Sequence, residues 1–147
     1  MPAPVIAQIL PSSVHMYAFR LKPGDDLKLE IEKIVKAHNW QAVSIVSCVG
    51  SLNAATIRFA DKKEGTVVAG KLEIVSLTGT LSPAGCHLHI AVSDSAGKTI
   101  GGHLLAGSSI YTTAEIVIAI LKDYKFERET DNTFGYKELL VTPLIKK

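Results

Sequence analysis

Residues 86–105 read Cys86-His87-Leu88-His89-Ile90-Ala91-Val92-Ser93-Asp94-Ser95-Ala96-Gly97-Lys98-Thr99-Ile100-Gly101-Gly102-His103-Leu104-Leu105. Two alternating runs flank Ser95-Ala96-Gly97, the composition of a three-residue hairpin loop: a type I turn, then Gly97 in the left-handed region. That loop makes Asp94 and Lys98 the last facing pair, so His89 lies opposite His103. Strand side chains alternate with period two, which puts His87 on the same face, two residues along. Facing Cβ atoms are about 5 Å apart and diagonal ones about 7–8 Å. Three imidazoles at those separations can share one metal ion.

The opposite face of this hairpin collects Leu88, Ile90, Val92, Ile100 and Leu104, a set fit for a core. The histidine face carries His87, His89, Ala91, Ser93, Thr99, Gly101 and His103, with Leu105 its one strongly apolar member. The histidines therefore point toward solvent, a cavity or another subunit. The preceding run, Lys71 to Ser82, also alternates and places Ser76, Thr78 and Thr80 on one face. A two-residue turn at Ser82-Pro83-Ala84-Gly85 sets Thr80 opposite His87 and Thr78 opposite His89, where hydroxyls can orient the imidazoles. A single histidine on a polar strand face is commonly an ordinary surface residue. Three on one hairpin face with small neighbours favour a metal or ligand site. Gly101-Gly102 inside a strand marks either a bulge or a close approach by a ligand or another backbone.

Working outward, Lys22-Pro23-Gly24 turns a strand, Val14 to Leu21, into a helix over residues 25–38. Asp25 and Asp26 open it, Lys33, Lys36 and His38 close it, and its apolar stripe is Leu27, Ile31, Ile34, Val35 and His38. The two aspartates read as partners of the helix dipole. His15 reads as an ordinary residue. Strands follow at 41–49 and 54–60, joined by Gly50-Ser51-Leu52-Asn53, then at 66–69 and 71–82. Thr113 to Leu121 is almost continuously apolar and β-branched, which predicts a strand buried on both faces. A last strand pair, 124–130 and 136–142, surrounds Asn132-Thr133-Phe134-Gly135. The fold class expected is α+β with a mostly antiparallel sheet. Residues 1–13, with Pro2, Pro4 and Pro11, form an extended arm, residues 14–142 one domain, and residues 143–147 a tail.

A chain of 147 residues that is 47% hydrophobic is one globular domain. Its net charge of +2 is dispersed, with no basic stripe of the kind nucleic-acid binding needs, so direct DNA contact has little support. Cys48 and Cys86 lie in apolar runs and read as buried thiols of a reducing compartment. No signal peptide is evident at Met1-Pro2-Ala3-Pro4, and the run from Ala114 to Leu121 is too short to span a membrane. A cytoplasmic protein is expected, or a nuclear one if the source is eukaryotic.

Several separated motifs resemble the plant and prokaryote conserved (PPC) domain. They are Tyr17-x-x-Arg20-Leu21-x-x-Gly24-Asp25-Asp26-Leu27, Gly50-Ser51-Leu52, and Gly70-Lys71-Leu72-Glu73-Ile74-Val75-Ser76-Leu77-Thr78-Gly79. His87-x-His89, Gly101-Gly102-His103-Leu104 and Phe134-Gly135-Tyr136-x-Glu138-Leu139 follow in order. The resemblance spans residues 14–142. It implies an antiparallel sheet with flanking helices, assembly into homotrimers, and a metal held by His87, His89 and His103. In plant members the domain follows an AT-hook, an Arg-Gly-Arg-Pro-type segment; here no arginine precedes Arg20.

Three functions compete. The first is a trimeric metal-binding and interaction module with protein partners. Zinc suits three neutral imidazoles best, and copper, iron or nickel are also served by them. The second is a zinc-dependent hydrolase, because three histidines and an open position let zinc activate water. Glu73 is its candidate catalytic carboxylate. The third is a DNA-associated transcriptional regulator, supported by the resemblance alone.

Overall fold

The computed structural model describes residues 9–144. The expected arm up to residue 8 and the expected tail from residue 145 lie outside that range. In chain order the elements are β1 (Val14–Leu21), α1 (Leu27–Ala37), β2 (Val43–Arg58), β3 (Thr66–Ser82), β4 (Gly85–Ser93), β5 (Thr99–Leu104), β6 (Ile110–Leu121), β7 (Tyr124–Thr130) and β8 (Lys137–Pro143). Among the described residues α1 is the one helix, so the expected flanking helices are corrected to a single one on a mainly β architecture.

Asp26 starts that helix as its N-cap, in extended conformation (φ −84°, ψ 120°), its side chain accepting from the Leu29 amide. Leu27, Ile31 and Val35 are buried on the core face. His38, which the spacing places on that stripe, does not continue it. It is the exposed C-cap, its amide bonded to the Ile34 carbonyl at 3.1 Å, and its ring stacks on Trp40 at 4.5 Å. The next residue, Asn39, has φ 51° and reverses the chain.

The main sheet runs β1-β6-β2-β3-β4-β5, each neighbouring pair antiparallel. β5 then returns to β2, with Ile57 opposite Leu104 and Arg58 opposite His103. Strands β2 to β5 thereby close into a ring. β2 makes this possible by bending. A register shift falls between Leu52 and Ala54, and there the Asn53 amide bonds the Ser109 carbonyl at 2.8 Å. The break expected at Gly50–Asn53 is thus a bulge inside one continuous strand. Gly50 is required for a second reason: a Cβ there would lie 1.9 Å from the Thr113 carbonyl oxygen of β6. β3 is likewise continuous through Gly70.

One apolar cluster holds this assembly. Leu88, Ile90, Val92 and Leu104 of the histidine hairpin meet Leu52, Ile57, Leu77, Leu81, Ile116 and Ile118, with Leu27, Ile31 and Val35 among the same set. Burying each such leucine or isoleucine stabilises by roughly 1.5–3 kcal/mol against exposure. β6 is not buried on both faces as expected. Ile116, Ile118 and Ile120 are buried, whereas Val117, Ala119 and Leu121 on its other side are half-buried. The reason is that, beyond the end where Leu121 packs on β7, no layer among the described residues covers the outer surface of β1, β6 and β2. β7 and β8 form a separate two-stranded sheet, anchored by Tyr124 and Phe126 against Ala42, Leu121 and Val141.

Candidate metal centre

The loop Ser95-Ala96-Gly97 sets the register of the site. Gly97 has φ 79°, its amide bonds the Asp94 carbonyl at 2.9 Å, and the Asp94 amide bonds the Lys98 carbonyl at 3.0 Å. The Asp94 carboxylate is held at the tip, its Oδ1 accepting from the Ala96 and Lys98 amides. His89 consequently faces His103, while Thr80 faces His87 and Thr78 faces His89, as the spacing predicts. The paired glycines mark close backbone approach rather than a bulge: the β4–β5 register is unbroken. A Cβ on Gly101 would lie 2.6 Å from the Ile90 oxygen, and one on Gly102 2.8 Å from the Arg58 oxygen.

The three imidazoles converge. Their potential ligand nitrogens all lie within 4.8 Å of one another, and His87 Nε2 stands 3.1 Å from His89 Nε2. An ion bound tetrahedrally at about 2.0–2.1 Å per nitrogen separates its ligands by about 3.3 Å, so the His87–His89 pair is near that spacing already. His103 Nδ1 is buried and has no hydrogen-bond partner among the described residues. A buried ring nitrogen without a partner is costly in either tautomer. The convergence of three imidazole nitrogens and their spacing fit a divalent metal.

The electrostatics favour neutral, ligating imidazoles. Burial, then the Arg58 charge and the other two histidines, pushes His103 down to about 4. Burial, His89 and Arg128 lower His87, with Glu138 opposing them. Metal ligation needs the deprotonated ring, and these surroundings supply it near neutral pH.

A cleft of 740 Å³ opens beside the histidines, bordered by Lys28, Glu32, Arg58, Arg128 and Glu138 among others. Cys86 also lines it, half-buried where a buried thiol was expected. Burial and its hydrogen bond to Glu32 (3.0 Å) push that thiol up to about 11, so it stays protonated. Cys48 is buried as expected, its thiol pushed up to about 12. Glu73 stands apart, exposed, opposite Ser51 on β2 and Ser93 on β4, and does not line the cleft. The carboxylates that do are Glu32 and Glu138. Glu138 enters the sequence reading only as part of a family-like motif, and Glu32, Arg58 and Arg128 do not enter it. The return of β5 onto β2 brings Arg58 opposite His103, and the packing of β7 on β3, with Arg128 donating to Thr80 (2.9 Å), brings β7 to the site.

A mainly antiparallel sheet with a single helix and a histidine-bearing hairpin defines the class, and the chain belongs to the Plants and Prokaryotes Conserved (PCC) domain family, which it matches over residues 10–122. This is the domain abbreviated PPC above. Two Synechococcus proteins, each named bifunctional protein GlmU, are 46% and 49% identical to it over 134 and 133 residues. These alignments take in 91% and 90% of this chain but 21% of each relative, so the chain spans about a fifth of their length. A solved hypothetical protein from Salmonella cholerae-suis matches 92% of the chain, with 99% of its own covered, at 36% identity and a TM-score of 0.89. A metal-containing protein from Archaeoglobus fulgidus covers 90%, with 99% of its own, at 27% identity and 0.75. Two structures whose names carry a provisional DNA-binding assignment, at 21% and 20% identity, share the fold. No helix among the described residues is long and apolar enough to cross a membrane.

Proposed function

We propose that this chain is a metal-binding PCC-domain module whose His87, His89 and His103 hold one zinc, or a similar divalent transition metal, per chain. The observation that carries it is the convergence of one ring nitrogen from each of the three histidines, all within 4.8 Å of one another. The metal-containing name of the Archaeoglobus structure supports the same reading. When bound, such an ion supplies Lewis acidity at an open position. The residues of the chain do the rest: β4 and β5 fix the ring separations, and Thr78 and Thr80 border them.

The module is proposed to act as a homotrimer with protein partners, in the cytoplasm. In favour of self-association is the uncovered outer face of β1, β6 and β2, where Val14, Met16, Val46 and Val49 are exposed. A hydrolytic use of the same ion is the second reading. It draws on the cleft beside the histidines and on Glu138, close enough to oppose the lowering of His87. Direct DNA binding is not part of this reading, because the net charge of +2 is dispersed along the sequence and forms no basic stripe.

Elemental analysis of the size-resolved, tag-free protein tests the metal. Roughly one zinc per chain, lost in His89→Ala with the oligomer intact, is expected from a three-ligand site. Protein that stays metal-free after zinc is supplied overturns the reading.

A further inference from the structure

We propose that the cleft beside the three histidines recognises an oxyanion, with Arg58 and Arg128 holding the carboxylate or phosphate of a small-molecule ligand. Both arginines line the cleft. Arg58 makes one long hydrogen bond, Nη1 to the Lys62 carbonyl at 3.4 Å, and Arg128 one, Nη2 to Thr80 Oγ1 at 2.9 Å. A guanidinium carries five donors in a fixed fork, so most of this capacity is unspent. Neither arginine forms an ion pair among the described residues.

The charge of the cleft is likewise unbalanced. Lys28 and Glu32 satisfy each other at 2.9 Å. That leaves Glu138 as the remaining carboxylate of the lining against Arg58, Arg128 and Lys137. A planar fork in such a place matches carboxylate and phosphate oxygens in two bonds at once, which lysine cannot do. The volume, 740 Å³, exceeds that of a bare ion and falls in the range of about 300–1,000 Å³ typical of metabolite-sized ligands. Leu105 and Tyr136 supply apolar wall for the remainder of such a molecule.

This deepens the metal reading of the same site but stands on the arginines alone, so the two are separable by experiment. Isothermal titration of the full chain with inorganic phosphate and with citrate, in chloride buffer, is run on zinc-loaded and on chelator-treated protein. Arg58→Gln, Arg128→Gln and the exposed control Lys63→Gln are compared, with circular dichroism to confirm folding and Arg58→Lys to keep the charge without the fork. Saturable binding of at least one probe is expected, weakened about tenfold or more in each Arg→Gln variant, as loss of a charge-assisted hydrogen bond predicts. Arg58→Lys is expected between wild type and Arg58→Gln, and Lys63→Gln at the wild-type level. Absence of saturable binding in both forms, or arginine variants that bind as wild type does, overturns the proposal. Arginine-dependent binding to protein that takes up no zinc removes the metal reading and leaves the anion site. Normal zinc uptake without probe binding removes the anion site alone.

Discussion

The hairpins β4–β5 and β7–β8 are both antiparallel ladders joined by turns with glycine at positive φ (Gly97, 79°; Gly135, 77°). They differ in what lies beneath them. Leu88, Ile90 and Val92 of β4 are at most 2% exposed, whereas Leu139 and Leu140 of β8 are each 37% exposed. β4 and β5 sit inside a closed ring of strands, while β7–β8 is a separate sheet held at one end by Tyr124 and Phe126. The histidines come from the stiff hairpin. Arg128, Tyr136, Lys137 and Glu138 come from the lightly held one. Metal-ligand spacing must be kept within fractions of an ångström, and a rigid core element does that. A wall that must admit a ligand has no such need, and sparsely buried segments open at lower free energy.

The largest effect that follows is on stability. Leu88→Ala is expected to cost about 2–5 kcal/mol, because the site is fully enclosed and collapses only in part. The matched truncation Leu140→Ala is expected within about 0.5 kcal/mol of wild type. Urea unfolding of both variants measures the contrast. Equal losses would mean that β7–β8 is as much a part of the cooperative core as β4–β5.

A smaller effect separates the anchors of the two hairpins. Asp26 ties the chain leaving β5 to the helix: Oδ1 accepts from the Leu29 amide, and Oδ2 from the Gly107 (2.6 Å) and Ser108 (3.1 Å) amides. Removing a cap of this kind costs roughly 0.5–2 kcal/mol, and Asp26→Ala is expected toward the upper end because it also orphans two loop amides. Asp131 performs the corresponding duty in the β7–β8 turn, accepting from the Thr133 amide at 2.6 Å, in full solvent exposure. Asp131→Ala is expected to be the milder change in thermal melts. The reverse order would place the weight of the fold on the outer hairpin.

The same contrast explains what could be read from the sequence. His89 opposite His103 follows from the three residues Ser95-Ala96-Gly97, because a short hairpin loop fixes register locally. Thr80 opposite His87 follows from the turn at Pro83-Ala84 for the same reason. Arg58 could not be placed, since it reaches the site only when β5, some 45 residues later, closes on β2. Arg128 depends on a packing contact between two sheets that no periodicity encodes. β6 misled because a continuous apolar run reads as two buried faces, whereas here one of them is left half-uncovered. The paired glycines left a bulge and a close approach both open; the neighbour at Gly101 is β4, its hairpin partner, whereas the one at Gly102 is β2 of the same chain, which was legible only in three dimensions.

The smallest effect expected is a pH dependence confined to the histidine hairpin. His103 is held down to about 4 from its ordinary 6.5, first by burial and then by Arg58, and His87 is lowered in the same sense. Between those values the unfolded chain binds more protons than the folded one, so stability rises with pH across the window. The contribution is complete above about 6.5 and is lost as pH falls through about 4. Because His103 is only half-buried, solvent screening trims the gain. Glu32 is lowered from 4.5 and Asp131 from 3.8, so their own acid-induced losses enter below those values. The interval from 6.5 to 4.5 therefore isolates the histidines. In that interval the urea midpoint of metal-free protein is expected to fall with pH, and to fall less in His103→Gln. Superimposable profiles would show that proton exclusion at His103 costs the fold nothing, and that the ring is wetter than its buried Nδ1 implies.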